Sequence, residues 1–252
     1  MLKEGGRSDE IPLFLIPTGG GNLINYYELV SQLEGLNIYG FVPKGYENDE
    51  EPLYTVQELA QYYYGVLTQF NPIGPYRLLG WSFGGNVAFE MARIIEDAGQ
   101  QLEWLIILDA PARSHERDVR AINKMEALAE LARNNGYEFK RNTDYEDQLK
   151  EAMNQFPGEN TLRHLKVRLA NEVAFDNYYS AKPIQSDIHL LYATAQDERS
   201  PVPLTDAQAW HAKTTGTCTS TPIPGHHENL IDYNHAVNVA QYVNRMVKGW
   251  IR

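Results

Sequence analysis

Residues 75–99 read PYRLLGWSFGGNVAFEMARIIEDAG, and their order decides the fold. Pro75 to Trp81 reads as a strand. Val87, Ala88, Met91, Ile94, Ile95 and Ala98 then fall at i, i+1, i+4, i+7, i+8 and i+11, one face of a helix, and Gly99 ends it. Between the two elements stands Gly80-Trp81-Ser82-Phe83-Gly84-Gly85. A Gly-x-Ser-x-Gly turn between strand and helix projects a serine hydroxyl past the edge of the sheet. Side chains at Gly80 and Gly84 would crowd that tight crossing. Ser82 is therefore a candidate nucleophile, one that needs a base to take its proton. The N–H of Phe83, at the start of the helix, is a candidate oxyanion donor, aided by the helix dipole.

The flanking sequence repeats the strand–helix rhythm. Ile11 to Pro17 (IPLFLIP) reads as a buried strand, followed by the turn Thr18-Gly19-Gly20-Gly21. That turn lets backbone approach a ligand closely, which makes the Gly19 N–H the candidate second oxyanion donor and Thr18 the alternate. Leu23 to Leu33 has near-helical spacing, and Leu36 to Val42 is a second strand. Thr55 to Phe70 is a helix with Thr55 as N-cap and Glu58 three residues on, a capping box. Leu102 to Leu108 is a strand that delivers Asp109 at its end. Strands return at Asp187 to Thr194 and Thr217 to Ile223, and a last helix runs from Asn234 to Ile251 with Val237, Ala240, Val243, Val247 and Trp250 on one stripe. Alternation of this kind predicts an α/β fold with a mostly parallel sheet flanked by helices. Arg113 to about Ala181 carries helix-like patterns and no convincing strand, so it reads as a helical lid inserted over one end of the sheet.

A serine base of this type follows the last strand. Among seven histidines, His226 and His227 in Pro224-Gly225-His226-His227-Glu228-Asn229-Leu230 meet that condition. His227 is taken as the base and His226 as a neighbour that shapes the loop. His115 and His164 lie in the insertion, and His189 lies within a strand. His211 follows Trp210 on a surface helix with a structural role, and His235 opens the final helix facing solvent. For the acid that orients the imidazole there are two candidates, Asp109 and Asp197. Asp109 is favoured: among Leu108, Ala110 and Pro111 a carboxylate is costly unless partnered. Asp197 sits among charges, where a solvated loop accounts for it equally well, and stays as the alternative acid.

The 252 residues suit one large domain, here 11–252 with the lid at about 113–181, preceded by a polar linker or frayed start at 1–10. The net charge of −11 argues against nucleic-acid binding. No apolar run is long enough for a membrane span. One cysteine, Cys218, excludes an internal disulfide and makes the cytoplasm the default setting. No metal-ligand motif and no bound cofactor are expected.

These pieces resemble a known family, the type I thioesterase domains of nonribosomal peptide and polyketide synthetases, within the α/β-hydrolases. The resemblance is carried by PLFLIPTGGG, IYGFVPKG, PYRLLGWSFGGNVAFEMARIIEDAGQ, LIILDAPA, Trp210 and IPGHHENL, and is weakest in the lid. Ile16 departs from it, standing where many relatives have histidine or phenylalanine. The resemblance implies that the base is His227, two positions after Gly225, and that the acid is Asp109, although some relatives use the position of Asp197. It also implies the substrate, an acyl or peptidyl chain held as a thioester on the phosphopantetheine of a carrier protein, and as partner a carrier domain upstream in the same synthetase. Ser82 would take the chain as an acyl-enzyme, released by hydrolysis or macrocyclisation. A stand-alone esterase or editing (type II-like) thioesterase is the alternative.

Within the lid, Arg113, Arg117, Arg120 and Lys124 recur at i, i+4, i+7 and i+11. Two readings are open: a solvated helix face, or a docking patch for an acidic carrier protein. The lid aromatics Tyr137, Phe139, Phe156, Phe175, Tyr178 and Tyr179 either pack or line a channel, with packing favoured for most.

Overall fold

A computed structural model describes residues 1–7, 10–114, 119–139, 144–155, 162–180, 182–195 and 207–249. Six strands form one sheet: β1 (Leu13–Ile16), β2 (Ile38–Gly40), β3 (Tyr76–Trp81), β4 (Leu102–Leu108), β5 (Ile188–Ala193) and β6 (Cys218–Ile223). Their order is β2-β1-β3-β4-β5-β6 and every strand pairing is parallel. The main helices of the body are α1 (Tyr27–Gln32), α2 (Val56–Phe70), α3 (Phe83–Asp97) and, last in the chain, α8 (Ala236–Val247). The lid contributes α4 (Lys124–Asn134), α5 (Tyr145–Gln155) and α6 (Leu162–Asp176), and a short α7 (Ala207–His211) precedes β6.

Strand periodicity explains the layers. On β1, Phe14 and Ile16 join the core under α2 and α3, while Leu13 and Leu15 join the core under α1 and α8. On β4, Leu105 and Ile107 face the first core, and Trp104, Ile106 and Leu108 the second. Leu13–Ile16 of β1 and residues 104–108 of β4 are buried on both faces and are continuous apolar runs, as parallel strands covered by helices must be. From β1 the chain moves outward in one direction to β2 and in the other through β3 to β6. The order therefore reverses between β1 and β3, and a crevice opens there beyond the strands' C-terminal ends.

Several expectations change in detail. Residues 1–7 are docked rather than frayed. Lys3 bridges Ile38 in antiparallel fashion, with Leu2 N–H to Ile38 O at 2.8 Å and Ile38 N–H to Lys3 O at 2.9 Å. The Lys3 ammonium also takes carbonyls at the end of α1, Val30 O at 3.1 Å and Leu33 O at 2.6 Å. An otherwise open sheet edge and an uncapped helix end explain this seat. Thr55 does cap α2, accepting from Glu58 N–H at 3.1 Å; the return contact runs from the Thr55 hydroxyl to Glu58 Oε2 at 2.8 Å. On α8 the buried residues are Ala236, Val239, Ala240, Tyr242, Val243 and Met246, so the expected stripe is rotated and Val237 is exposed. Trp250 lies outside the described residues.

The lid has its own small core, in which Leu128 and Leu131 of α4, Leu149 of α5, and Leu165, Leu169 and Val173 of α6 pack together, with Tyr137 and Phe139 against them. Its two stems are tied to each other. Ser180 N–H donates to Arg113 O at 3.0 Å, and the buried Lys213 ammonium donates to both Arg113 O and Ser180 O. Among the described residues, no helix is long and apolar enough to cross a membrane.

Candidate active site

Ser82 sits in the turn between β3 and α3 with φ 57° and ψ −128°, a strained conformation for a residue with a side chain. The crossing explains its glycines. A Cβ on Gly80 would lie 2.1 Å from Gly84 O, and one on Gly84 would lie 2.8 Å from Pro17 O. The turn is pinned to the neighbouring strand by Ser82 N–H donating to Leu108 O at 2.9 Å.

His227 opens a 3₁₀ turn (His227–Asn229) after β6. Its Nε2 lies 3.0 Å from Ser82 Oγ and its Nδ1 lies 2.7 Å from Asp109 Oδ2. Its ring leans on Trp81, with centroids 5.4 Å apart. His226 shapes the same loop, its N–H donating to Asn229 Oδ1 at 2.8 Å.

Asp109 follows β4 and is only 2% exposed. Its φ of 42° turns the carboxylate back over the sheet end. Oδ1 accepts from Ala193 N–H at 3.0 Å, while Oδ2 faces His227. Trp210, fully buried, donates from Nε1 to Ala110 O at 2.7 Å and so braces the turn that carries the acid. Ser82, His227 and Asp109 thus form one hydrogen-bonded line. Asp197 lies outside the described residues.

Phe83 is the first residue of α3, so its N–H belongs to the helix donors that have no acceptor within the helix. A Cβ on Gly19 would lie 3.9 Å from Phe83 Cβ, which sets the glycine loop directly against the start of α3. Thr18 is buried beside it. Two residues that sequence reading missed hold this arrangement. Tyr26, fully buried, donates its hydroxyl to Ile16 O at 2.9 Å and accepts Trp81 N–H at 2.8 Å, bridging the ends of β1 and β3. Asn171 of α6, also buried, donates to Gly19 O at 3.0 Å.

Ser82, His227 and Gly19 open onto a cavity of about 610 Å³. Its lid wall is polar: His164, Arg168 and Glu172, at i, i+4 and i+8 on α6. Their spacing was the available signal, and a charged stripe reads by default as a solvated face. Of the lid aromatics, Tyr137, Phe139, Phe175 and Tyr178 pack, while Tyr179 is exposed. Phe175 meets Phe83 edge-on at 6.2 Å, and buried Tyr178 donates to Glu90 Oε1 at 3.0 Å. Phe156 lies outside the described residues. A second cavity, of about 320 Å³, lies away from Ser82 at the opposite end of the strands, beside Pro12, Tyr39 and Phe70.

The basic set Arg113, Arg117, Arg120 and Lys124 does not form the expected helix face. Arg113 and Arg120 precede α4, which starts at Lys124, and Arg117 lies outside the described residues. Arg113 donates to Tyr178 O and Asp176 O at 3.1 and 3.0 Å. Arg120 pairs with Glu130 and Asp176 at 2.8 and 3.0 Å, and the Lys124 ammonium stands over the Tyr145 ring. These cations brace the lid from within. Of the remaining histidines, His211 bonds Ser220 at 3.0 Å, and His235 is half-buried against Asp232 at 2.9 Å rather than simply facing solvent.

Comparison with known proteins agrees with this architecture. A nonribosomal peptide synthetase of Aspergillus terreus, pngA, is 29% identical over 133 residues, which are 53% of this chain and 14% of the synthetase. The non-reducing polyketide synthase PKS16 of Cladonia grayi is 38% identical over 99 residues, 39% of this chain and 5% of that enzyme. The chain thus spans a small fraction of these relatives' length. Among solved structures, a four-domain nonribosomal peptide synthetase bound to AMP and glycine superposes with TM-score 0.75 at 25% identity, over 96% of this chain and 20% of that one. The Vlm2 thioesterase domain superposes with TM-score 0.69 at 22% identity, over 96% of this chain and 94% of that one, a likeness of fold. The profile of the Thioesterase domain family matches residues 11–247, nearly the whole chain, and the chain belongs to that family.

Proposed function

We propose that this chain is a serine thioesterase that releases an acyl or peptidyl chain from the phosphopantetheine thioester of a carrier protein. The observation that carries the proposal is the line Asp109–His227–Ser82, with contacts of 2.7 and 3.0 Å at the wall of the cavity. Ser82 Oγ attacks the thioester carbonyl while His227 Nε2 takes its proton. The C–O bond forms, the C–S bond breaks, and the proton passes from His227 to the departing thiolate. Asp109 holds the imidazole in the required tautomer and stabilises the imidazolium. The Phe83 and Gly19 N–H groups receive the oxyanion of each tetrahedral intermediate.

The acyl-Ser82 ester is then cleaved by water, giving a free acid, or by an amine or hydroxyl of the chain itself, giving a macrocycle. His227 activates that second nucleophile and returns the proton to Ser82 Oγ. The proposed partner is a carrier domain upstream in the same synthetase, in the cytoplasm; that the relatives are multidomain synthetases supports the carrier partner. Incubation with a synthetic pantetheine thioester, followed by mass measurement, tests the reading. Free thiol and released chain are expected from the wild type, and a fluorophosphonate probe should label it but not Ser82→Ala. Equal labelling of the two proteins would refute the role of Ser82.

A further inference from the structure

Two adjacent stripes of α6 divide its inner surface. Val167 and Asn171, one turn apart, seat the helix on the glycine loop. A Cβ on Gly21 would lie 2.7 Å from Val167 Cγ1, and Asn171 bonds Gly19 O at 3.0 Å. The next residues along, Arg168 and Glu172, face the cavity that holds Ser82. His164, a turn before Arg168, stacks on Tyr46 with centroids 4.1 Å apart. The polar wall is therefore held in register with the nucleophile by the lid's own seat.

That wall is poor in aliphatic carbon. Ile24 is the one aliphatic side chain among the described residues that line the cavity. A plain alkyl chain would strip water from charged groups there without replacing their hydrogen bonds. The lining carries two carboxylates, Glu172 and Glu228, against one guanidinium, Arg168. Glu172 keeps access to solvent, yet the surrounding protein desolvates its carboxyl and raises its pKa; Asp176 and Glu130 add to the rise. Arg168 and Arg120 pull downward without cancelling it. Glu172 thus sets an exposed carboxylate on the cavity wall, where an arriving cation can pair with it.

We propose that the cavity selects a chain carrying a protonated amine, and that Glu172 is the residue that reads it. The proposal rests on the thioesterase reading above and specifies its substrate class: a peptidyl chain with a free N-terminal amine or a basic side chain. Two matched pairs of pantetheine thioesters separate these sources. One pair differs by acetylation of the N-terminal amine, the other by lysine against norleucine at one side chain. For the wild type, kcat/KM should favour the amine by about tenfold or more in at least one pair, the scale of a charge-assisted hydrogen bond. Glu172→Gln should bring that ratio close to 1, and Glu172→Lys should turn the preference toward a chain carrying a carboxylate. Circular dichroism establishes that both variants are folded. Absence of preference in both pairs, or a preference that survives Glu172→Gln, would overturn the proposal. Failure of the thioesterase reading has a different signature: the wild type then turns over no member of either pair, and the selectivity proposal falls with it.

Discussion

Replacing Tyr26 by phenylalanine removes one oxygen and leaves two buried backbone groups without a partner. The Tyr26 ring is fully buried, and its hydroxyl joins Ile16 O at 2.9 Å to Trp81 N–H at 2.8 Å where β1 and β3 part. Burial holds the phenol well above its ordinary pKa, so it stays a donor throughout the working pH range. Each orphaned buried group costs about 1–3 kcal/mol. Removing the hydroxyl also ends its own desolvation, which returns part of that sum. A net destabilisation of about 2–4 kcal/mol follows. In a domain of this size it lowers the melting temperature by roughly 5–15 °C. Urea denaturation reads it as a lower midpoint at unchanged m-value.

The same bridge positions chemistry, since Trp81 precedes Ser82 and Ile16 leads into the glycine loop. Fluorophosphonate labelling of folded Tyr26→Phe should therefore be slower than that of the wild type. Tyr54→Phe is the control. Its hydroxyl bonds Glu51 at 3.0 Å at the surface, and its loss should change stability by less than about 0.5 kcal/mol. A Tyr26→Phe variant as stable as this control would refute the claim that the hydroxyl holds the two strand ends.

Asp109→Asn should reduce kcat by about a thousandfold or more through loss of the correct imidazole tautomer, measured by thiol release from a pantetheine thioester. Asparagine tolerates the left-handed backbone that Asp109 adopts at φ 42°, so strain does not confound the comparison. Asp197→Asn should leave the rate near that of the wild type. Asn171→Leu should cost about 1–3 kcal/mol by orphaning Gly19 O, and should slow labelling of Ser82, as seen by denaturation and probe kinetics. His189, buried against Tyr242 at 3.0 Å, has its pKa lowered by desolvation. As pH falls below about 6.5 the unfolded chain therefore binds the proton first, and stability drops. Melting curves from pH 7 downward should show a smaller acid loss in His189→Gln than in the wild type.

The parts of the molecule legible in the sequence are those whose signal is local. β4 matches its expected span, Leu102–Leu108, because from Trp104 onward it is covered on both faces and unbroken in apolar residues, and the next polar residue marks its end. That end is Asp109, so the strand boundary and the candidate acid were found together. Ser82 was legible because its turn admits only glycine at Gly80 and Gly84, a steric demand written into the residues themselves. Tyr26 was not legible. Its role depends on two strand ends that lie ten and fifty-five residues away in the chain, and nothing in its neighbours marks a buried hydroxyl.

The lid shows how a periodic signal misleads. Arg113, Arg117, Arg120 and Lys124 keep helical spacing, yet charge periodicity alone has no energetic hold on the backbone. A helix face is set by the apolar stripe opposite it, and by the caps that satisfy its free ends. The segment before Lys124 passes through Ala121 at φ 54°, incompatible with a continuing helix. The true start is written two residues later: the Asn123 side chain accepts from Glu126 N–H at 3.2 Å while Glu126 Oε2 accepts the Asn123 N–H at 2.8 Å. That Asn-x-x-Glu box stands in the sequence beside the misleading stripe. On α6 the outcome is the reverse: Leu165 and Leu169 anchor the helix in the lid core, and Val167 meets the glycine loop. His164, Arg168 and Glu172, on the stripe beside Val167, then face the cavity, while Lys166 turns to Glu146 of α5. Glu172 takes its direction from the apolar neighbours that fix its helix; Arg113 and Arg120, outside any helix, take theirs from the carbonyls and carboxylates they bond.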